Sequence, residues 1–457
     1  MVSLDEAIYE RYISKTRRER TKRVGLEFEL PVINLGDGPV DFAVVHEMTD
    51  SFIRDFAFGD VKKDDDGFAY SAADAVTGDA ISFDCSYNTL EFSFGTSLDL
   101  NIIKNRFDIY YTYVQNFLGR YGHALTGMGI NPHYDRNISA PVVNERYRML
   151  FHHLCSYRNY EHEILFHDKP NFGLFSCASQ IQLDAHEDGL TQVLNTFTKL
   201  EPLKALILAN SVWGSDHEVL CSRDNFWRNS LHGLNRHNVD MYAVEFGSVD
   251  EIVCYIRSMS IYCVMRDGRY VNFHPTPLQV YFASDEIEGE YFDGSRYTKI
   301  WVHPRMEDLE YLRSFKFEDL TFRGTVEFRS VCEQPVSEIM ASGALHAGLM
   351  ENVEALDELL ADDRVIYRHG YNASELRRMF VKKDLPQCFD WKAVSGLIIK
   401  VLDLAADGLK IRGYNEGHFL DPLYIRAERL LSPGREMAQG LEAGQSMDSF
   451  IERFGRL

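Results

Sequence analysis

The chain has 457 residues, 45% of them hydrophobic and 13% aromatic, so it has enough apolar material to bury a large core. Its 48 Lys and Arg residues against 69 Asp and Glu give a formal net charge of −21, which argues against nucleic acid or an anionic membrane as a partner. Because the sequence shows no membrane-spanning run, no secretory signal, no disulfide framework and no zinc-ligand spacing, we expect a folded cytoplasmic protein.

The segment RVGLEFELPV (23–32) predicts a strand with one apolar face and one acidic face, because apolar residues alternate with glycine and glutamate. Glu27 and Glu29 are two residues apart, so they project from the same face. Carboxylates that share a buried site repel each other and lose hydration, so they require protons, basic partners or metal ions. The alternative is an edge strand whose glutamates face water.

Loops and helices separate this strand from the others. Hairpin loops joining short strands are predicted at 34–41 and 61–84, where Gly, Pro and Asp accumulate. Apolar residues recur at helical spacing in three segments, namely 101–122, 190–210 and 395–413. Pro202 lies inside the second segment and predicts a kink or a new helix start. We assign all three helices to core packing.

Three further segments repeat the two-faced pattern of the first strand: NTLEFSF (88–94), SQIQLD (179–184) and GTVEFRSV (324–331). In an antiparallel sheet with helices on its apolar side, the polar side chains of all four strands project into one cavity. These side chains are Glu27, Glu29, Glu91, Gln180, Gln182, Glu327 and Arg329. Asp84 lies seven residues before Glu91, close enough in sequence to join them.

Such a cavity favours Mg²⁺ or Mn²⁺, because hard cations prefer carboxylate and amide oxygens and share the rest of their coordination shell with phosphate. The sequence has no P-loop, but phosphates of a nucleotide can be held by carboxylate-bound metal ions instead. The alternative is four unrelated amphipathic strands that face water, since periodicity does not show which strands are neighbours.

Seven segments together resemble the characteristic blocks of glutamate–cysteine ligases, most closely those of plants and many proteobacteria. In chain order they are RVGLEFEL, ISFDCSYNTLEFSFG, TGMGINPHYDRNISAPVVNERYRML, CASQIQLDA, KALILANSVWGSDHEVLCSRDNFW, GTVEFRSVCEQP and LDLAADGLKIRGYNEGHFLDPL. The similarity extends from about residue 20 to about residue 455. Each block alone is weak evidence, whereas seven in the same order are specific.

The resemblance implies an α+β fold related to glutamine synthetase and guanidino kinases, in which a curved, mostly antiparallel sheet forms a funnel-shaped active site surrounded by helices. It implies ATP-dependent joining of the γ-carboxylate of glutamate to the amine of cysteine through γ-glutamyl phosphate, as in glutathione biosynthesis. Two or three Mg²⁺ ions, for which Mn²⁺ can substitute, are the implied cofactors. We expect one catalytic domain over 1–457, with a mainly helical part from about 340 to 457 packed on the sheet.

The resemblance also implies roles for individual residues. The implied metal ligands are Glu27, Glu29, Asp84, Glu91, Gln180 and Glu327. Arg329 is similar to an arginine that contacts the ATP phosphates or the acyl phosphate, so Arg329 and Glu327 are the expected catalytic residues. Arg223, in CSRDNFW, matches an arginine that binds the α-carboxylate of glutamate. Gln182 and Arg146 are the other expected substrate-binding residues.

Two blocks depart from the family pattern. DCSYNTLE stands where plant-type members have an EPGGQ-like turn, and RSVCEQP stands where RGADGGP-like residues are usual. Because the first turn lies near the acceptor side, the resemblance supports glutamate activation better than it supports cysteine as the acceptor. A γ-glutamyl ligase with another amine or amino-acid acceptor is therefore an alternative. A phosphotransferase of the guanidino-kinase type and a non-catalytic relative are weaker alternatives, because all the main acidic positions are present.

Overall fold

The computed structural model describes residues 3–18, 21–160, 166–214 and 217–457. Its strands are β1 (Val24–Asn34), β2 (Lys62–Lys63), β3 (Ala69–Ala73), β4 (Ala80–Ser82), β5 (Thr89–Ser97), β6 (His123–Leu125), β7 (Ser179–Asp184), β8 (Val239–Asp240), β9 (Ser260–Arg266), β10 (Arg269–Pro277), β11 (Ile287–Phe292), β12 (Tyr297–Val302), β13 (Phe315–Lys316), β14 (Glu318–Leu320) and β15 (Thr325–Phe328). Its α-helices are α1 (Leu4–Ile8), α2 (Phe42–Asp55), α3 (Leu100–Gly119), α4 (Glu145–Cys155), α5 (Leu190–Leu208), α6 (Ser222–Arg228), α7 (Val249–Arg257), α8 (Leu278–Tyr281), α9 (Ala341–Glu351), α10 (Val353–Ala361), α11 (Ala373–Phe380), α12 (Trp391–Arg412), α13 (Asp421–Arg429), α14 (Pro433–Glu442) and α15 (Met447–Phe454).

The main sheet runs in the order β14–β15–β7–β1–β5–β4–β3–β2, with β6 also paired to β1. All of these pairings are antiparallel. The four strands with a polar stripe, β15, β7, β1 and β5, are consecutive in this order. The predicted neighbourhood of these strands is therefore confirmed, and the alternative of four unrelated strands is wrong.

Helices cover the apolar face of the main sheet. Phe28 of β1 meets Phe107 of α3 edge-on, with ring centroids 5.5 Å apart. Phe328 of β15 contacts Phe197 of α5 at a centroid distance of 4.5 Å, and α9 packs against β7 and β1. Because this face is buried under helices, the opposite face is left to carry the polar side chains. The expected α+β class, with a mainly antiparallel sheet, is confirmed.

Two glycines allow α9 and α12 to pack with their backbones in contact. A Cβ atom at Gly348 would collide with the carbonyl oxygen of Ala405, and one at Gly408 would collide with the carbonyl of Gly348. The helix predicted at 395–413 is α12, which ends at Gly413 in the left-handed conformation with a φ of 81°. Helices α9 to α15 and their connections occupy the chain from 341 onward. The grouping of this part with the sheet in one catalytic domain stays a prediction.

The other two predicted helices are α3 and α5, and α5 corrects one expectation. Pro202 lies within α5, which continues on both sides of it, so the predicted restart of the helix is wrong. The residues around it, including Leu200 and Leu203, are buried in the core. Tertiary packing therefore outweighs the local cost of a proline that lacks an N–H donor.

The two predicted hairpin loops have different outcomes. Residues 61–84 contain β2, β3 and β4, which pair as successive antiparallel strands, as predicted. The segment 34–41 instead connects β1 to α2, so the hairpin predicted there is wrong. Asp41 caps this helix by accepting a hydrogen bond from the backbone N–H of Ala43 at 2.9 Å. Aspartate is a common N-cap residue at the start of a helix. The glycine and proline residues of the loop had led to the prediction of a hairpin instead.

A second sheet runs in the order β12–β11–β10–β9, and α4 packs against its strand β10. Through β9 and β10 it supplies Tyr262, Cys263 and Tyr270 to the cavity discussed below. Within the described ranges, no helix has both the length and the hydrophobicity required to cross a membrane.

Candidate active site

The register of the main sheet brings the predicted polar side chains together on one face. It pairs Glu29 with Glu91, Glu27 with Gln180, and Glu327 with Gln182. Residues that are directly opposite in an antiparallel pair project to the same side of the sheet. The four strands therefore present their acids and amides as one surface, as the alternation predicted.

Glu29, Asp84 and Glu91 form the first acidic group. One carboxylate oxygen from each lies within 4.8 Å of the others, a separation at which one cation can bind all three. Glu29 is 7% exposed, and its oxygens accept hydrogen bonds from the backbone N–H of Ala178 and the side-chain amide of Gln180, both at 2.7 Å. These donors orient the Glu29 carboxylate toward the group without neutralising its charge.

Glu27, Gln182 and Glu327 form the second group. The Gln182 amide donates one hydrogen bond to Glu27 at 3.2 Å and another to Glu327 at 2.8 Å. Arg329 contacts the second oxygen of Glu327 at 2.5 Å. Glu327 thus lies between an amide and a guanidinium, where it can bind a cation next to a fixed positive charge.

Burial and mutual repulsion disturb the ionisation of these carboxylates. Burial, followed by the charges of Asp84 and Glu91, raises the pKa of Glu29 to about 8. Burial and then Asp84 raise the pKa of Glu91 to about 7, and burial together with Glu91 raises the pKa of Glu27 well above its usual value. A divalent cation would favour the ionised forms of all these groups. The donor set of hard oxygens therefore fits Mg²⁺ or Mn²⁺.

The raised pKa of Glu29 predicts that the metal-free protein becomes less stable as pH rises from about 4.5 to about 8. Glu29 titrates near 4.5 when unperturbed and at about 8 in the folded chain, so the folded state holds the proton more tightly. The resulting stabilisation is fully present below the unfolded pKa and is lost as pH rises through the folded pKa. Thermal unfolding in a chelator at a series of pH values measures this decline.

The Glu29→Gln variant is the control for that measurement, because it keeps the hydrogen-bonding shape but cannot titrate. Its stability should decline less with pH than that of the wild type. At high pH, adding Mg²⁺ should raise the unfolding temperature of the wild type more than that of the variant. A wild-type profile that stays flat over this range would show that Glu29 is already ionised in the folded chain.

The predicted substrate-binding arginines lie at the edge of the same surface. Arg223 of α6 is 7% exposed and donates to the carbonyl oxygens of Val331 and Arg329 at 3.2 and 3.4 Å. Its Nε atom is buried and has no hydrogen-bond partner among the described residues. Arg146 of α4 lines the adjoining cavity, together with Arg223 and Arg329. The cavity therefore has positive charge available for a carboxylate ligand.

One residue of this site was missed in the sequence. Asp319 of β14 pairs with Glu327 in the sheet, and burial raises its pKa to about 7. Strand β14 has only three residues, so it shows no alternation that a periodicity argument can detect. Tyr147, which lies in the third block of the family resemblance, donates a hydrogen bond to Asp84 at 3.0 Å.

Comparison with known proteins decides the family. The family model described as glutamate-cysteine ligase family 2 matches residues 23–373 of the chain. The chain belongs to glutamate–cysteine ligase family 2. All the acids described above lie inside the matched residues of this family member, whereas the last of the seven blocks, at 402–423, lies beyond them.

The similarity to individual members of the ligase family is distant. The chloroplastic glutamate–cysteine ligase of Brassica juncea is 23% identical over 346 residues, which cover 72% of this chain and 61% of that protein. That of Arabidopsis thaliana is 24% identical over 357 residues, which cover 72% of this chain and 60% of that protein. The chain therefore spans about three fifths of the length of these relatives. A crystal structure of glutamate–cysteine ligase from Francisella tularensis in complex with AMP aligns with 96% of this chain and 98% of its own, with 12% identity and a TM-score of 0.39.

Proposed function

We propose that the protein is an ATP-dependent ligase that joins the γ-carboxylate of glutamate to an amine through γ-glutamyl phosphate, with release of ADP and phosphate. Cysteine is the acceptor that the names of the relatives indicate. The observation that supports this proposal most strongly is the convergence of two carboxylate groups and Arg329 on one face of the main sheet. Such an arrangement suits a triphosphate held beside a second anionic substrate.

We propose that the two acidic groups hold two or three Mg²⁺ ions. Glu29, Asp84 and Glu91 would hold one ion, with Gln180 beside them, while Glu27 and Glu327 would hold another. When bound, these ions neutralise charge on the triphosphate and on the oxygens of the transferring phosphoryl group. The raised pKa values of Glu29 and Glu91 support this assignment, because these buried acids lack enough positive charge of their own.

The arginines have separate roles in the proposal. A carboxylate is a poor acyl donor because its leaving group would be oxide, so it must first be phosphorylated. Arg329, which Glu327 holds in place at 2.5 Å, is positioned to stabilise the phosphoryl oxygens during that transfer. Arg223 is fixed by two carbonyl groups and keeps a free Nε donor, which suits the α-carboxylate of glutamate.

Isotope transfer tests the intermediate directly. With glutamate carrying ¹⁸O in its γ-carboxylate, ATP and Mg²⁺, we expect one ¹⁸O atom in the released phosphate for each amide formed. The label moves because the γ-carboxylate oxygen attacks the γ-phosphorus of ATP and leaves later as part of phosphate. Mass spectrometry of phosphate and of the amide measures both products. Unlabelled phosphate together with amide would exclude the acyl phosphate.

The same experiment separates the ligase from a phosphotransferase of the guanidino-kinase type. A phosphotransferase would yield ADP and a stable phosphorylated product without an amide, whereas the ligase releases phosphate in step with the amide. Membership of the ligase family and the retained pair Glu27 and Glu29 favour the ligase.

A further inference from the structure

A cavity of about 150 Å³ adjoins the acidic surface at Glu29 and Asp84, and its lining has a polar part and an aromatic part. The polar part contains Gln180, Arg223 and Arg329. The aromatic part, which we call the aromatic chamber, is lined by Met149, Leu154, Phe172, Trp227, Tyr262 and Phe315. Glutamate, with only two methylene groups, does not account for a chamber of this composition.

The walls of the aromatic chamber are packed against one another. Trp227 stacks on Phe315 with ring centroids 4.6 Å apart and meets Phe172 edge-on at 4.9 Å. His232 bridges the wall, with centroids 4.2 Å from Phe315 and 5.4 Å from Tyr262. Because these rings come from separate segments of the chain and support one another, the chamber is preformed, as a binding pocket requires.

The chamber also connects directly to the proposed reaction centre. Phe315 lies under the guanidinium of Arg329, 5.9 Å from its carbon atom to the ring centroid. Helix α4 supplies both Met149 and Tyr147 to the lining, and Tyr147 donates its hydrogen bond to Asp84 at 3.0 Å. A molecule in the chamber would therefore have one end beside the γ-carboxylate of a bound glutamate.

Two arginines line the same cavity as these rings and form no ion pair with a described carboxylate. Among the described residues, Arg146 forms neither a hydrogen bond nor an ion pair, and Arg313 donates only to the carbonyl oxygens of Glu310 and Leu312. Two guanidinium groups in the lining of one cavity make an anionic ligand group favourable there.

We propose that the amine acceptor is an α-amino acid with a bulky apolar side chain, whose ring or branched chain occupies the aromatic chamber and whose carboxylate binds Arg146 and Arg313. This inference rests on the proposed ligase function. The amine nitrogen attacks the acyl carbon of γ-glutamyl phosphate, the C–N bond forms, and the C–O bond to phosphate breaks. Phosphate departs with the bonding electron pair and takes up the proton that the amine loses, so the products are the amide and hydrogen phosphate.

Size and polarity both separate this acceptor class from cysteine. The aromatic chamber is part of a cavity of about 150 Å³ and is lined by six large side chains, four of them aromatic. Cysteine would leave most of the chamber walls without contacts, whereas phenylalanine or leucine would fill them. An apolar pocket of this kind is expected to change kcat/KM by about ten- to a hundredfold between a side chain that fills it and one that does not.

The acceptors for the test differ in one feature at a time. Phenylalanine has both the ring and the carboxylate, 2-phenylethylamine has only the ring, and alanine and cysteine have the carboxylate with a small side chain. Hydroxylamine is a small nucleophile that reports γ-glutamyl phosphate formation without using the chamber. The full-length protein is assayed with ATP, Mg²⁺ and glutamate, following ADP release and product mass. We expect kcat/KM for phenylalanine to exceed that for cysteine, alanine and 2-phenylethylamine by at least about tenfold.

A pair of arginine variants on one helix tests the carboxylate contact. Arg146→Met should reduce the preference for phenylalanine over 2-phenylethylamine by about tenfold. Arg148→Met is the matched control, because Arg148 lies on the same helix and pairs with Asp65 at 2.5 Å outside the cavity. The control should keep the wild-type preference. An unchanged preference in both variants would overturn the role of Arg146.

The outcomes separate this inference from the proposed function. If hydroxamate forms but cysteine or alanine is used as well as phenylalanine, the acceptor inference is wrong and the ligase function stands. If no acceptor, including hydroxylamine, supports glutamate-dependent ADP release, then the proposed function is wrong and the acceptor inference fails with it. A preference for phenylalanine that depends on Arg146 supports both.

Discussion

The Glu327→Gln variant is expected to form amide about 10³-fold more slowly than the wild type while keeping its fold. Loss of one carboxylate from the second acidic group would remove several kcal/mol of charge stabilisation from phosphoryl transfer, and about 4 kcal/mol corresponds to that factor. The fold should survive because glutamine keeps the shape of the side chain and an oxygen that can accept from Gln182 or Arg329. Steady-state rates at several Mg²⁺ concentrations measure the loss, and the half-saturating Mg²⁺ concentration should rise.

A matched substitution distinguishes this effect from a general change in charge. Glu442→Gln removes the same charge from α14, outside the acidic groups. The side chain of Glu442 is about half exposed and pairs with Lys383. That control should retain wild-type rates and an unchanged Mg²⁺ requirement. Unaltered amide formation in the Glu327→Gln protein, at a normal unfolding temperature, would remove Glu327 from the proposed metal site.

The polar face of the main sheet could be predicted because its signal is local. Alternation along β1, β5, β7 and β15 fixed which side chains share a face, and the family resemblance implied that these strands are neighbours. The loop before α2 and the uninterrupted α5 were not predicted, because a capping aspartate and tertiary packing outweighed the glycine and proline signals.

The aromatic chamber could not be predicted from the sequence at all. Its walls come from α4, the segment at Phe172, α6, β9 and β13, which are separate in sequence and show no shared pattern. Aromatic residues in each of these segments read as ordinary core material, because burial alone does not reveal whether a ring faces another ring or a cavity. Asp319 was missed for a related reason, since β14 is too short to display its two faces.

A buried network of charges fixes the segment that follows β15, and so positions Arg329, the proposed catalytic arginine. Glu201 of α5 is 0% exposed and pairs with Lys204 and Arg377. Although burial opposes ionisation, Lys204 and Arg377 lower the pKa of Glu201 to about 2. Ser330, next to Arg329, donates a hydrogen bond to Glu201 at 2.9 Å. The network thus holds the end of β15 through a carboxylate that stays ionised.

Arg377 joins this network to α6. It contacts Glu201 at 2.5 Å and Asp224 at 2.7 Å, and Asp224 directly follows the predicted glutamate-binding Arg223. Its guanidinium also donates to the carbonyl oxygen of Ser330 at 3.4 Å. One buried cation therefore links α6, which carries Arg223, to the segment after β15, while its own side chain lies outside the lining of the cavity.

The Arg377→Met variant is expected to lose about 3–5 kcal/mol of unfolding free energy, because Asp224 loses its ion-pair partner and the buried Glu201 keeps only Lys204. Urea unfolding followed by circular dichroism measures the change. Lys410→Met is the control. Lys410 is 77% exposed and pairs with Asp407, so its loss should change the unfolding free energy by less than about 1 kcal/mol. The double variant Arg377→Met with Asp224→Asn should regain part of the loss, because it also removes the carboxylate that lost its partner and leaves the Glu201–Lys204 pair intact. An equal loss in the single and double variants would mean that Arg377 acts through packing, so that its pairing with Asp224 does not hold α6 in place.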